Sequence, residues 1–229
     1  MSSKVEEWNK SYERFENHIY YPKEEVVKFI NRYIKKKTGT NKLKNVCDGL
    51  DIKGLDFGCG IGINTILMHE FGIDGKGIDL SNIAIKEAIV LSKKYNMRGE
   101  EIFSVFDGER TSFDNQYFDF SICVDVLDSM YFEIAKKVMM ELNRVTKKYI
   151  FITLICGDCS EHYKEYNGEY EVQTIHENGT IQSFYNTWKI DELIQYTDFK
   201  IIYNHLHTEE SLMDNYKNSR YYIVLERNN

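Results

Sequence analysis

Three glycines, Gly58, Gly60 and Gly62, alternate with Cys59 and Ile61, and an acid, Asp56, stands two residues before them. Ile52 to Phe57 reads as a short buried strand, and Ile63, Ile66, Leu67 and Phe71 then recur at helical spacing. Glycines at such a junction let a strand turn tightly into a helix and leave backbone N–H groups bare for a ligand. A strand, glycine turn and helix in this order point to a nucleotide-like ligand. The next predicted strand, Gly75 to Asp79, ends on a carboxylate that can accept hydrogen bonds from two ribose hydroxyls.

A dinucleotide site uses similar parts, with the fingerprint Gly-x-Gly-x-x-Gly. Here the third glycine comes one residue early and Ile63 occupies its expected place. No Lys or Arg stands in the turn to offset Asp56 against a pyrophosphate, whereas a ligand carrying an ammonium and a sulfonium suits that charge. Acid-x-Gly-x-Gly-x-Gly followed by an acid-ended strand resembles the Rossmann-like (class I) S-adenosylmethionine-dependent methyltransferases. The resemblance is specific at residues 55–65, extends to about residue 130, and is topological beyond.

The resemblance implies S-adenosylmethionine as cofactor and assigns contacts by position. Asp56 and the backbone of Gly58, Cys59, Gly60 and Gly62, with Asn64 beside them, would face the methionine part. Asp79 would hold the ribose and Leu80 would lie beside the adenine. Asp107 would take the adenine amino group and Gly108 would permit close approach. Val124 and Asp125 would lie near the transferred methyl. Val126-Leu127-Asp128-Ser129 stands where many relatives read Val-Leu-Glu-His, so a histidine base is replaced by Ser129. Candidates for its work are His162, His176, Asp128 and Tyr131, each with a structural role as the alternative. An amine acceptor could react unaided; a hydroxyl would benefit from a base.

These residues require a framework, and the chain supplies alternating strands and helices. Ile102 to Phe106, Phe118 to Val124 and Tyr149 to Ile155 read as further strands, and helical faces run through Ala84–Tyr95 and Ile134–Val145. With strands at Lys200–His205 and Arg220–Leu225, the expected α/β fold is a doubly wound seven-stranded sheet. It is mostly parallel with an antiparallel last strand and helices on both faces. Asp56, Asp79, Asp107 and Asp125 all fall at strand ends, where such sheets bind ligands.

A single domain is expected over 1–229, with an N-terminal helical cover (1–37), a cofactor-binding core (52–155), an inserted substrate-cover segment (157–187), and a C-terminal helix and strand hairpin (188–229). Pro22, the one proline, marks the start of a helix running to about Lys37. Trp8 and Phe15 are expected to pack on the core. Tyr20 and Tyr21 either line the site, as such covers do in small-molecule methyltransferases, or simply pack. The insertion reads as a hairpin around Asn178-Gly179, either closing over substrate with Tyr185 or lying on the surface.

Composition narrows the partners. The chain of 229 residues has 29 Lys and Arg against 36 Asp and Glu, a net charge of −7 that disfavours a broad nucleic-acid or anionic-membrane surface. Lys35-Lys36-Lys37 and Lys147-Lys148 read as solvated helix ends. No apolar run approaches ~20 residues and the start is polar, so a soluble cytoplasmic protein is expected. Five scattered cysteines fit reduced thiols, and Cys156-Gly-Asp-Cys159 with His162 falls short of a zinc site. With one proline, the paired-proline motif of nucleic-acid amino methyltransferases cannot exist, and no Pro-Cys nucleophile is present. The favoured function is methyl transfer to an oxygen or nitrogen of a small molecule. Alternatives are a protein methyltransferase and a non-catalytic binding protein of the same fold.

Overall fold

The computed structural model describes residues 3–106, 108, 110–157, 168–213 and 217–228. The chain opens with α1 (Ser3–Glu13) and α2 (Glu24–Phe29), the latter continuing as a π-helical turn over Ile30–Ile34. Val26, Phe29, Ile30 and Ile34 share its buried face. The helix does not reach Lys37: Lys35–Gly39 is strand β1, paired antiparallel with β2 (Lys42–Asn45). The apolar stripe stops at Ile34, Asn31 Oδ1 accepts the Lys37 N–H at 2.8 Å, and the Val46 and Cys47 amides both donate to the Ile34 carbonyl. The three lysines therefore stand on a hairpin strand. Lys147 and Lys148 likewise open a strand, where they pair with Asp119 and Asp48.

The core follows in order as β3 (Lys53–Phe57), α3 (Ile63–Glu70), β4 (Asp74–Asp79), α4 (Asn82–Lys93), α5 (Gly99–Ile102), β5 (Phe103–Val105), β6 (Phe118–Cys123), a 3-10 turn at Leu127–Ser129, α6 (Phe132–Val145) and β7 (Thr146–Ile155). The small antiparallel hairpin β8 (Glu169–Glu171) and β9 (Ile181–Ser183) comes next, with Asn178-Gly179 in its turn. Last are α7 (Thr187–Ile194), β10 (Phe199–Glu210) and β11 (Lys217–Arg227).

Among the described residues the seven-stranded sheet has the order β10-β11-β7-β6-β3-β4-β5. Its β11 runs antiparallel to both neighbours, as expected of the last strand, and the β3–β7 pairings are parallel. Side chains alternate across it: Ile150, Ile152 and Leu154 pack towards α6 and α7, and Phe151 packs towards Phe29 of α2. Both faces are thus covered, which is why these strands read as nearly continuous apolar runs. The order reverses between β3 and β6, so their carboxyl ends open a crevice at the switch point. No helix among the described residues is long and apolar enough to cross a membrane.

Candidate active site

The glycine turn leaves β3 with Gly58, Gly60 and Gly62 at φ of 75°, 53° and 84°. A Cβ on Gly58 would strike Val126, and one on Gly60 would lie 2.8 Å from the Tyr12 hydroxyl, so side chains are excluded here by space as well as by φ. The Gly58 and Cys59 amides donate to the Ile78 carbonyl at 2.8 and 2.9 Å, which ties the turn to β4. Asp79, at the end of β4, accepts the Gly60 N–H and the Ser81 N–H, both at 2.8 Å, one on each carboxylate oxygen. A carboxylate has about four acceptor sites, so it can still receive two hydroxyls. Burial raises the Asp79 pKa, and its backbone donors oppose the rise.

Asp56 stands behind the turn rather than in the crevice. It is 1% exposed, its Oδ2 accepts Thr65 Oγ1 at 2.8 Å, and burial pushes its pKa up to about 7. It lines neither lobe of the cavity described next, so its expected place near an ammonium becomes a supporting one.

The crevice holds two lobes that share Gly58, Asp125 and Ser129, with Trp8 and Tyr12 of α1 as common cover. The larger, ≈ 350 Å³, is mainly apolar and is lined by Phe57, Asp79, Leu80, Phe106, Gly108 and Met130 among others. The smaller, ≈ 260 Å³, carries the polar groups: Asn17, Lys23, Asn64, Asp125, Asp128 and Arg220 all face it. Asn64 Oδ1 is buried and has no hydrogen-bond partner among the described residues. An orphaned buried acceptor costs ~1–3 kcal/mol unless a ligand donor meets it.

Asp125 follows β6 at φ 59°, an uncommon conformation for a non-glycine residue, and strain of this kind gathers at ligand sites. Its Oδ1 accepts Thr153 Oγ1 at 2.9 Å, and its carboxylate forms ion pairs with Lys23 and with Arg220, the latter at 2.6 Å. Burial raises the Asp125 pKa, but Arg220 and Lys23 outweigh it and hold the pKa below the usual range. Asp128, 2% exposed, accepts the Ile155 N–H at 3.0 Å and Arg220 Nη1 at 2.6 Å, both on Oδ2. Its Oδ1 carries no hydrogen bond among the described residues. Burial raises the Asp128 pKa, against the pull of Arg220.

Gly58, Cys59, Gly60, Asn64, Val124, Asp125, Asp128 and Tyr21 meet at the polar lobe, and Asp79, Leu80, Gly108 and Tyr131 at the apolar one. Gly62 shapes the turn without lining either. Asp107 and His162 lie outside the described residues. His176 is exposed on the β8–β9 turn, and Tyr20 is exposed and lines neither lobe. Tyr185 requires correction: it is 0% exposed and its hydroxyl donates to the Leu127 carbonyl at 2.9 Å, so it braces the 3-10 turn from inside the core. Phe15 is also corrected, being 71% exposed where the chain turns out of α1, while Trp8 does pack.

Lys23 and Arg220 were not foreseen. The antiparallel sense of β11 sets Arg220 opposite Ile155, at the carboxyl end of β7, and that register was the available signal for Arg220. The cover is clasped to the hairpin: Lys4 Nζ donates to Glu171 at 2.7 Å and to the Gly179 carbonyl at 2.6 Å, and Glu16 accepts the Glu177 N–H at 3.0 Å.

The comparisons agree with this geometry. Residues 55–152 match the family model described as a methyltransferase domain. Among solved structures, an S-adenosylmethionine-dependent methyltransferase of Methanosarcina mazei is 20% identical, with a TM-score of 0.64 over 79% of this chain and 94% of that one. One from Anabaena variabilis is 15% identical, with a TM-score of 0.65 over 98% and 95%. A geranyl diphosphate C-methyltransferase of Streptomyces coelicolor, solved with S-adenosylhomocysteine, is 14% identical, with a TM-score of 0.58 over 79% and 73%. No curated protein matches the chain. At these identities the structures speak for the fold, and the domain match carries the class. Residues 55–152 form a methyltransferase domain on a Rossmann-like, class I fold, with S-adenosylmethionine as its cofactor.

The site fits that cofactor. The two-oxygen acceptor of Asp79 suits the ribose, the bare glycine turn admits close approach, and the unpartnered Asn64 Oδ1 suits an ammonium.

Proposed function

We propose that the protein transfers a methyl group to an oxygen or nitrogen of a small-molecule acceptor held in the polar lobe, with Asp128 as the base for a hydroxyl acceptor. Bound at the glycine turn, S-adenosylmethionine supplies an electrophilic methyl on a sulfonium. Asp79 holds the ribose and Asn64 orients the amino-acid end. Arg220 and the Ile155 amide fix Asp128 through Oδ2, leaving Oδ1 to accept the proton of an acceptor hydroxyl. The raised pKa of Asp128 brings it closer to the working pH of a base.

The observation that carries the reading is the polar lobe of ≈ 260 Å³, joined to the cofactor lobe at Gly58 and Asp125. Its cover of α1 clasped to the β8–β9 hairpin supports a small acceptor over a protein chain. The C-methyl chemistry of one structural neighbour is a competing outcome, since an unsaturated carbon must shed a proton after methylation and Asp128 could take it; the position of the label separates the two. The acidic net charge supports neither nucleic acid nor an anionic membrane as partner, and buried free thiols at Cys47, Cys59 and Cys123 suit a reducing cytoplasm.

The test is incubation with methyl-labelled cofactor and a metabolite extract, followed by mass detection. Label on an oxygen or nitrogen of a small molecule is expected. Cofactor binding without transfer would favour the non-catalytic alternative, and label on carbon or on protein would replace the acceptor assignment.

A further inference from the structure

Arg220 enters the polar lobe from β11, and only one of its nitrogens is engaged. Nη1 reaches both Asp125 and Asp128 at 2.6 Å, whereas Nε and Nη2 have no hydrogen-bond partner among the described residues. Neither is among the buried unpartnered side-chain atoms, which belong to His18 and Asn64, so both keep access on a side chain that lines the lobe. An arginine that serves an ion pair alone tends to fork two nitrogens onto one carboxylate. Here two carboxylates pin one corner of the plane and leave the rest of the rigid fork open.

Resting on the small-molecule reading above, we propose that the acceptor carries an oxyanion, a carboxylate or a phosphate, which binds the open edge of Arg220. Lys23, on the far side of Asp125, lines the same lobe and adds a second cation. Asp125 and Asp128 neutralise these two cations in the resting site. They hold the guanidinium in place without occupying its planar donor edge, and that edge matches the spacing of carboxylate or phosphate oxygens. Glu177 also faces the lobe, from the hairpin, and directs the anion to the Arg220 end. A direct transfer sets the cationic sulfonium beside the acceptor, which further favours a negative group over a protonated amine.

The experiment uses a metabolite extract split by anion exchange at neutral pH into retained and unretained pools, each given the full-length protein and methyl-labelled S-adenosylmethionine. Label is expected in the retained pool. Pretreating that pool with phosphatase separates the two sources: loss of label identifies a phosphate, and persistence a carboxylate. Label formed only from the unretained pool would overturn the oxyanion, while no label from either pool would overturn the small-molecule reading itself. Arg220→Gln and Arg220→Lys should keep S-adenosylhomocysteine affinity by calorimetry, which also reports folding. For the retained pool, Arg220→Gln should raise the half-saturating amount about tenfold or more, with Arg220→Lys intermediate. An unchanged half-saturating amount with kcat alone reduced would reduce Arg220 to positioning Asp128 and overturn the proposal.

Discussion

Asp128 and Arg220, 92 residues apart in sequence, meet at 2.6 Å beside the cofactor crevice. The contact joins the 3-10 turn after β6 to the first half of β11 and fixes one carboxylate oxygen while leaving the other open. Asp128 is buried and Arg220 only partly so, which makes the contact sensitive from one side: removing the arginine leaves a buried carboxylate without its counter-ion, a loss that reaches ~3–5 kcal/mol where both partners are buried. Each function ascribed to the polar lobe depends on this pair.

A base works only when deprotonated, and the Asp128 pKa is raised. For a hydroxyl acceptor, kcat should therefore fall as pH drops through that raised value, at a pH above the ordinary carboxylate range. A pH–rate profile checks this, and a rate that is flat down to the ordinary range would remove Asp128 from proton transfer.

Asp79→Ala should weaken S-adenosylhomocysteine binding by about 1.5–3 kcal/mol, since two hydroxyls lose a charged acceptor. It should also lower Tm, because the Gly60 and Ser81 amides lose their partner. Titration calorimetry and a melting curve read the two effects. Unchanged affinity would move the ribose elsewhere.

Asp56 supplies a stability test independent of catalysis. Its folded pKa of about 7 lies above the reference 3.8, so between these values the folded state binds more protons than the unfolded one. Stability from this group is full below the lower value and is lost as pH rises through the upper, by up to about 4 kcal/mol. Asp56→Asn should flatten that decline in denaturant melts taken across this window. A decline of the same size in the variant would assign it to another group.

The fold was legible where its causes are local. The glycine turn, the apolar runs and the acid-ended β4 each announce themselves within a few residues, and parallel strands joined by helices leave few topologies. The site was legible only as far as those strand ends. Lys23 and Arg220 reach the lobe through the entry of the N-terminal segment and the register of β11, neither of which leaves a local trace. Tyr185 reads as a polar aromatic in a polar stretch, and only packing shows that its hydroxyl is spent on Leu127. The lysine run after Ile34 carries no apolar period to separate a helix end from a hairpin strand, and the Asn31 bond decides it.

The most direct test of the central claim compares binding and turnover in Asp128→Asn, a near-isosteric change that keeps an oxygen towards Arg220. With the acceptor found in the extract assay, S-adenosylhomocysteine affinity should stay within about twofold, while kcat for a hydroxyl acceptor falls about 10²–10⁴-fold. Wild-type kcat with intact affinity would contradict the account, because the polar lobe would then hold no base at Asp128.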